Sequence, residues 1–359
     1  MLKFPVPVVI FLNVMIGCAS TESFKKGDDP IFAGKSLEEH LSYFASLEKK
    51  YPGPFAKSIS IQLGSQSSPH LFVGCMIHGD EIGCLPAVND FFNSTIERST
   101  FKGTLTVFIG NPKAAFVKKR FIEQDLNRVF TNSAPDSSEK LRAQEIMKHL
   151  GVADLFIDFH QTIEPTSEPF YTFAFSEASY FWARYLQGAK TLVTRAANIE
   201  FAKGMLSATE YATQLGVPSL TLELSQKGFN DEADKITKSV LTNAVLALSL
   251  FKNPKSIAEI KKLALKSPKL ILMKRSHAIP FEDSGLRLNP GFMNFSKIEK
   301  DSILGTRSNG DSWVAGKEGW LLFPKYPERD QQGKVLGPLP SDIVLIVEKA
   351  KEAEFLSLK

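Results

Sequence analysis

Hydrophobic and polar positions divide the chain into recognisable runs. "SISIQLG" (58–64) alternates apolar and polar residues, the period of a half-buried strand. "HLFVGCMI" (70–77) is nearly all apolar, as expected of a strand covered on both faces. "TLTVFIG" (104–110), "ADLFIDF" (153–159) and "VPSLTLEL" (217–224) read as further strands. Between these runs the pattern predicts helices over 84–96, 137–150, 179–190 and 232–251, the last long and amphipathic. Ser36-Leu37-Glu38-Glu39 has the form of a capping box. It opens a helix to about Lys50 that Tyr51-Pro52-Gly53-Pro54 ends. Strands alternating with helices predict an α/β domain over 35–255, with a mixed, mostly parallel sheet flanked by helices.

The pattern changes after about residue 255. A charged stretch leads into short strand-like runs, "LILMKRSHAI", "GLRLNPGFMNFSKI" and "GWLLFP", separated by Gly, Asn, Asp and Pro. These predict a small C-terminal β domain over 266–359. At the other end, "MLKFPVPVVIFLNVMIGC" carries one positive residue and then a short uncharged run. Residues 1–18 read as an export signal, too short to span a membrane. The "MIGC" ending is similar to a bacterial lipoprotein signal. That implies a chain exported to the cell envelope and attached to the membrane through a lipidated Cys18; a cytoplasmic protein is the alternative. Residues 19–34 read as a polar linker.

Composition narrows the function classes. The 359 residues are 43% hydrophobic and 23% charged, ordinary for a globular protein with a sizeable core. A net charge of +4, with Lys and Arg scattered, excludes a nucleic-acid partner. Three cysteines exclude a disulfide scaffold. Cys75 and Cys84 read as small buried apolar residues rather than a bridge.

Chemistry gathers where the strands end. In an open α/β sheet, ligands sit beyond the carboxyl ends of the strands. One apolar run ends at His78 with Glu81 a turn later, another ends at His160, and a third carries Glu223. His78-x-x-Glu81 puts an imidazole and a carboxylate on one metal if the strand turns at once into a helix, a turn Gly79 permits. His160 completes a set of three ligands, which suits catalytic zinc with an open fourth position. Glu223 is then the carboxylate available as proton shuttle, and Asp158 the partner behind His160. HxxE alone is common by chance, and the combination carries the argument. His40, His70, His149 and His277 read as structural or surface residues. "GNPKAAFVKKRFIEQDLNRVF" (110–130) lies at the same edge. Its Arg120, Asn127 and Arg128 suit an anionic substrate.

"HGDE", "GNPKAAFVKKRFIEQDLNRVF", "DFHQT" and "TLEL", in this order, resemble the succinylglutamate desuccinylase/aspartoacylase family, a branch of the zinc carboxypeptidase-like fold. The resemblance is strong over about 70–225 and weaker over about 266–326. It implies a hydrolase that holds one zinc ion per chain and cleaves the amide of an acylated amino acid. His78, Glu81 and His160 match its zinc ligands, Glu223 its general base, and Arg120 its arginine at the scissile carbonyl. Asn127 and Arg128 match its grip on the substrate carboxylate, and Asp125 reads as a loop brace. Some members place an arginine ten residues before the catalytic glutamate; here that position is Thr213, which argues against N-acetylaspartate. The nearest counterpart of a C-terminal family tyrosine is Tyr326. Two alternatives use the same features: a secreted metallocarboxypeptidase acting on short peptides, and an envelope lipoprotein that binds without catalysis.

Overall fold

Ser36 caps the first helix, α1 (Leu37–Lys50). Its hydroxyl accepts the Glu39 N–H at 3.2 Å, and the Glu39 carboxylate accepts the Ser36 N–H at 2.7 Å, which closes the expected capping box. The computed structural model describes residues 31–359, except 66–67, 97–99, 197–203, 282–283, 337–339 and 357–359. The segment expected to direct export therefore lies outside the described residues, as does most of the expected linker. No described helix is long and apolar enough to cross a membrane.

In chain order, the first strands of the main sheet are β1 (Ser58–Leu63), β2 (His70–Cys75), β3 (Gly103–Ile109) and β4 (Leu155–Thr162). Then come β5 (Phe170–Ala174), β6 (Thr191–Arg195) and β7 (Ser219–Gln226). The C-terminal region adds β8 (Ile271–Pro280), β9 (Lys297–Ile298), β10 (Gly319–Leu322) and β11 (Asp342–Lys349). All belong to one 11-stranded sheet, ordered β9-β10-β11-β8-β6-β5-β7-β4-β2-β3-β1. The run β3-β2-β4-β7 is parallel. β5 reverses against β7, and β6 and β8 then run parallel to β5. The remaining α-helices among the described residues are α2 (Leu85–Asp90), α3 (Pro112–Phe116), α4 (Ser138–Leu150), α5 (Glu177–Leu186), α6 (Ala208–Gln214), α7 (Asp231–Leu250), α8 (Ile257–Ala264) and α9 (Ala353–Leu356).

The sheet buries apolar residues on both faces. Leu71, Val73, Leu155, Ile157, Leu220 and Leu222 pack with residues of α1, α2, α5 and α7. Phe72, Phe108 and Phe156 face the other way, with Ala143 and Ile146 of α4 and Ala208 and Ala212 of α6. Because side chains alternate along a strand, Phe156, Asp158 and His160 share this second face. Polar residues thus enter one face of a strand that is buried throughout.

Several boundaries differ from the sequence pattern. β2 stops at Cys75, so an irregular turn over 76–84 separates it from α2. The predicted helix over 84–96 becomes π-helical at Phe91–Thr95. β4 runs on to Thr162 because it keeps pairing with β7, so His160 lies within the strand rather than past its end. The C-terminal region supplies four strands to the main sheet. It also forms a separate antiparallel sheet of Arg287–Leu288, Ile303–Thr306 and Ser312–Val314, with a core around Leu304, Trp313 and Ile343.

Candidate metal centre and pocket

The turn after β2 is built by close packing. Met76 holds a left-handed backbone at φ 56°, a conformation uncommon for a residue with a side chain. Gly79 has no such φ, so it does not permit the turn in the expected way. It is needed because a Cβ there would lie 2.3 Å from Ala115 N and 2.6 Å from Lys119 O. Its N–H donates to Arg120 O at 3.0 Å, which ties this turn to the segment after α3. Cys75 and Cys84 form a disulfide across the turn, correcting the expectation of two separate thiols. The turn folds back on itself and brings their Cα atoms to 6.5 Å, within bonding range. Nine positions of sequence separation do not announce that reversal.

His78, Glu81 and His160 are buried, and one donor atom from each lies within 4.8 Å of the others. Glu81 is the hub. Its Oε1 lies 2.7 Å from His78 Nδ1 and 2.8 Å from Arg120 Nη1; its Oε2 lies 2.8 Å from His160 Nδ1 and accepts the Gln161 N–H at 3.1 Å. The far nitrogens are also engaged. His78 Nε2 meets Asp125 Oδ1 at 2.9 Å, and His160 Nε2 meets Asp158 Oδ2 at 2.9 Å. Asp158 fits because Gly74 lies opposite; a Cβ there would stand 2.6 Å from Asp158 Oδ1. Asp125 does brace its loop, accepting the Asn127 N–H at 2.9 Å, but it also holds His78 and approaches Arg120 Nη2 at 3.4 Å.

Burial works against charge throughout this cluster, and neighbours of opposite sign work for it. Asp158 and Glu81 hold the His160 imidazole well above its ordinary value against burial. Burial opposes the Glu81 charge, but His78 and His160 carry its carboxyl well below the usual range. Asp125 is lowered in the same way by His78 and Arg120. Glu223 is the exception. It pairs in register with His160 across β4 and β7, but burial pushes it up to about 7, with Glu81 adding to the rise against His160, His78 and Arg120. Its Oε2 is buried without a hydrogen-bond partner.

This donor set fits a divalent ion. Each imidazole turns one nitrogen towards a carboxylate behind it and the other inwards, the arrangement that fixes a metal-ligating histidine. Glu81, Asp125, Asp158 and Glu223 outnumber the two arginines beside them, Arg120 and Arg128. Two imidazoles and one carboxylate are a common ligand set for zinc, and other transition ions also accept it.

The cluster opens into a cavity of about 670 Å³, which Arg120, Asn127 and Arg128 also line. Asn127 Oδ1 accepts the Ala208 N–H at 3.0 Å, so the segment 120–128 is fastened to the start of α6. Arg128 Nη1 donates to Asn127 O at 2.9 Å. Thr213 is absent from the lining; its hydroxyl donates back to Thr209 O at 2.8 Å. Tyr326 is absent too, with its hydroxyl bound to Phe292 N and Asn289 O in the C-terminal region.

The sequence pattern did not single out Lys325, Gln161 or Glu139. Lys325 lines the cavity beside Asp342. Burial lowers its ammonium, Asp342 pulls the other way, and Arg128 and Arg120 add to the lowering. Gln161 Oε1 accepts the Gly83 N–H at 2.8 Å, and its Nε2 donates to Gly228 O at 2.8 Å, so it staples the ligand-bearing turn to the end of β7. Glu139 accepts the Ile122 N–H and the Asn111 amide, and so anchors the segment between Arg120 and Asp125. Gln161 follows His160 directly, an adjacency the sequence does offer. Nothing in the sequence marks the other two.

The fold and site define a mixed α/β protein with a candidate metal centre at one edge of its sheet. Residues 67–249, just over half of the chain, match the family model described as succinylglutamate desuccinylase/aspartoacylase catalytic domain, and the chain belongs to that family. A succinylglutamate desuccinylase of Pseudomonas syringae pv. tomato is 24% identical over 287 residues, covering 76% of this chain and 84% of that one. A probable aspartoacylase of a Nostoc species is 39% identical over 97 residues, 24% of this chain and 32% of its own. Among solved structures, the succinylglutamate desuccinalase of Vibrio parahaemolyticus shares the fold. Its TM-score is 0.62 at 14% identity, over 82% of this chain and 86% of that one.

Proposed function

We propose that this protein is a zinc-dependent deacylase that cleaves the amide of a small, carboxylate-bearing N-acyl amino acid. The observation that carries the reading is the contrast within the cluster: His78, Glu81 and His160 converge, while Glu223 beside them keeps a buried oxygen without a partner. Names of relatives such as succinylglutamate desuccinylase agree with it.

In this reading His78, Glu81 and His160 hold the ion. When bound, zinc supplies Lewis acidity and a water acidic enough to attack at neutral pH. Glu223 would act as the general base towards the attacking water and hand the proton on to the leaving amine, work that suits a carboxyl pushed up to about 7. Arg120 donates to the oxyanion as it develops at the scissile carbonyl. Asn127 and Arg128 grip the substrate carboxylate, with Asn127 held in place by α6. A peptide-trimming enzyme uses the same groups, so substrate size distinguishes the two.

The test is hydrolysis of acylated amino acids and short peptides by metal-stripped and zinc-restored protein. Turnover of acylated amino acids only after zinc is restored supports the reading. Zinc-independent rates, or none on any substrate, sink it. Export with a lipid at Cys18 is a separate proposal; intact mass of the membrane fraction checks it, and an unprocessed Met1 defeats it.

A further inference from the structure

The Cys75–Cys84 bond closes on the segment that carries two of the three candidate ligands. β2 ends at Cys75, and Cys84 is the N-cap residue of α2. Between them, Met76 to Gly83 form neither helix nor strand, and His78 and Glu81 lie within this stretch. Such backbone has no ladder of its own and opens more readily than the sheet around it. The helix that follows gives it little support. α2 has six residues, and no side chain caps its first turn. A helix that short is marginal by itself.

The backbone of the turn is pinned from outside at three points. Met76 O accepts the Asn111 N–H at 2.9 Å, Gly79 N–H donates to Arg120 O at 3.0 Å, and Gly83 N–H donates to Gln161 Oε1 at 2.8 Å. Arg120 and Gln161 line the cavity themselves, so two of these pins belong to the site they support. The disulfide acts differently. It is covalent, it is buried, and it joins the two ends of the turn to each other. Its strand end is also placed beside the third ligand. Cys75 pairs in register with Phe159 of β4, the residue before His160. The bond therefore ties the turn with two ligands to the strand position next to the third.

We propose that the Cys75–Cys84 bond is a positioning device for the metal centre, and that breaking it lowers the affinity of His78, Glu81 and His160 for a divalent ion. The proposal rests on the metal site of the deacylase reading. Reduction by a dithiol breaks the S–S bond, leaves two thiols and converts the reductant to its own disulfide. The ends of the turn can then separate, and the ligand-bearing conformation becomes one of several. A turn competent in about one molecule in ten raises the apparent dissociation constant about tenfold. The loss falls on loading and not on the loaded site, so kcat at saturating zinc stays near that of the oxidised protein. Bonds of this kind persist in oxidising compartments, so metal loading follows the redox state of the surroundings.

Chelator competition measures the zinc affinity of the full chain before reduction and after it, with the dithiol removed under argon. The reduced protein is expected to bind zinc about tenfold more weakly and to recover on reoxidation. Cys75→Ala combined with Cys84→Ala should match the reduced protein and ignore the reductant. That separates the bond from Cys18 and from zinc held by free thiols. If the double variant does not fold, the reduced wild type carries the comparison. Hydrogen exchange of the metal-free protein reads the turn itself. The Gly79 and Gly83 amides should exchange about tenfold faster after reduction, while amides of β3 keep their rates. A bond that only stabilised the whole fold would speed both. Equal zinc affinity in the two redox states overturns the proposal and leaves the deacylase reading intact. If the oxidised chain binds no zinc, the deacylase reading fails, and exchange at Gly79 and Gly83 alone decides whether the bond positions the turn.

Discussion

The turn over 76–84 and strand β7 each bury one glutamate against the same two histidines, and the two carboxylates are treated in opposite ways. Glu81 meets two imidazoles, a guanidinium and a backbone N–H. Glu223, paired in register with His160, keeps one oxygen without a partner. Burial costs both residues; at Glu81 its neighbours outweigh the cost, and at Glu223 His160, His78 and Arg120 do not. The difference teaches that depth alone does not set a carboxylate's behaviour; a saturated one serves as scaffold, and a starved one is held ready to take a proton.

The strongest way to break this comparison is to remove the charge of Glu223 alone. Glu223→Gln is expected to lower kcat by about 10²–10⁴ while zinc content and melting temperature stay near wild type. Steady-state rates and metal analysis on one sample check it, and retained turnover would refute the role. Glu81→Ala should do the reverse of leaving the fold intact. It strands His78, His160 and Arg120 and costs on the order of 3–5 kcal/mol of stability, read from denaturant unfolding. A stability loss no larger than that of Glu223→Gln would show the two sites to be alike. Asp158→Asn sits between these extremes: zinc affinity should fall about 10- to 100-fold, measured by competition with a chelator.

The smallest effect comes from a third buried glutamate. Burial raises the Glu139 carboxyl, but donors from Ile122, Asn111, Ser138 and Gln124 outweigh it and hold it below its ordinary 4.5. A lowered folded-state value gives stability that is present above 4.5 and lost as pH falls through the folded value. Glu139→Gln should therefore cost on the order of 1 kcal/mol near neutral pH and flatten the acid limb below pH 4.5, followed by thermal melts across pH. An unchanged acid limb would mean that saturation by donors does not protect a carboxylate here.

Much of the half of the sheet that carries the ligands was legible in the residues. Runs around 58–63, 70–75, 103–109 and 219–226 emerge as strands, and helices appear near 138–150 and 231–250, because their periodicity is long and local. β5 and β6 were not legible. "FYTFA" and "TLVTR" are five residues each, and their place depends on pairing with β7 and β8 far along the chain. Lys325 was hidden for the same kind of reason, since only the return of β11 into the main sheet brings the C-terminal region over the pocket.

The bond between Cys75 and Cys84 has a consequence in the denatured chain. It survives unfolding, so His78 and Glu81 stay tethered inside a small covalent ring even when the sheet is gone. An ion held as proposed by His78, Glu81 and His160 would then keep two of those three ligands on the unfolded polypeptide. Affinity for the unfolded state subtracts from the stabilisation that an ion gives the native one. Under oxidising conditions such an ion would therefore add less to the melting temperature than its native affinity alone suggests. What folding would contribute to that affinity is His160, delivered when β4 docks beside β2.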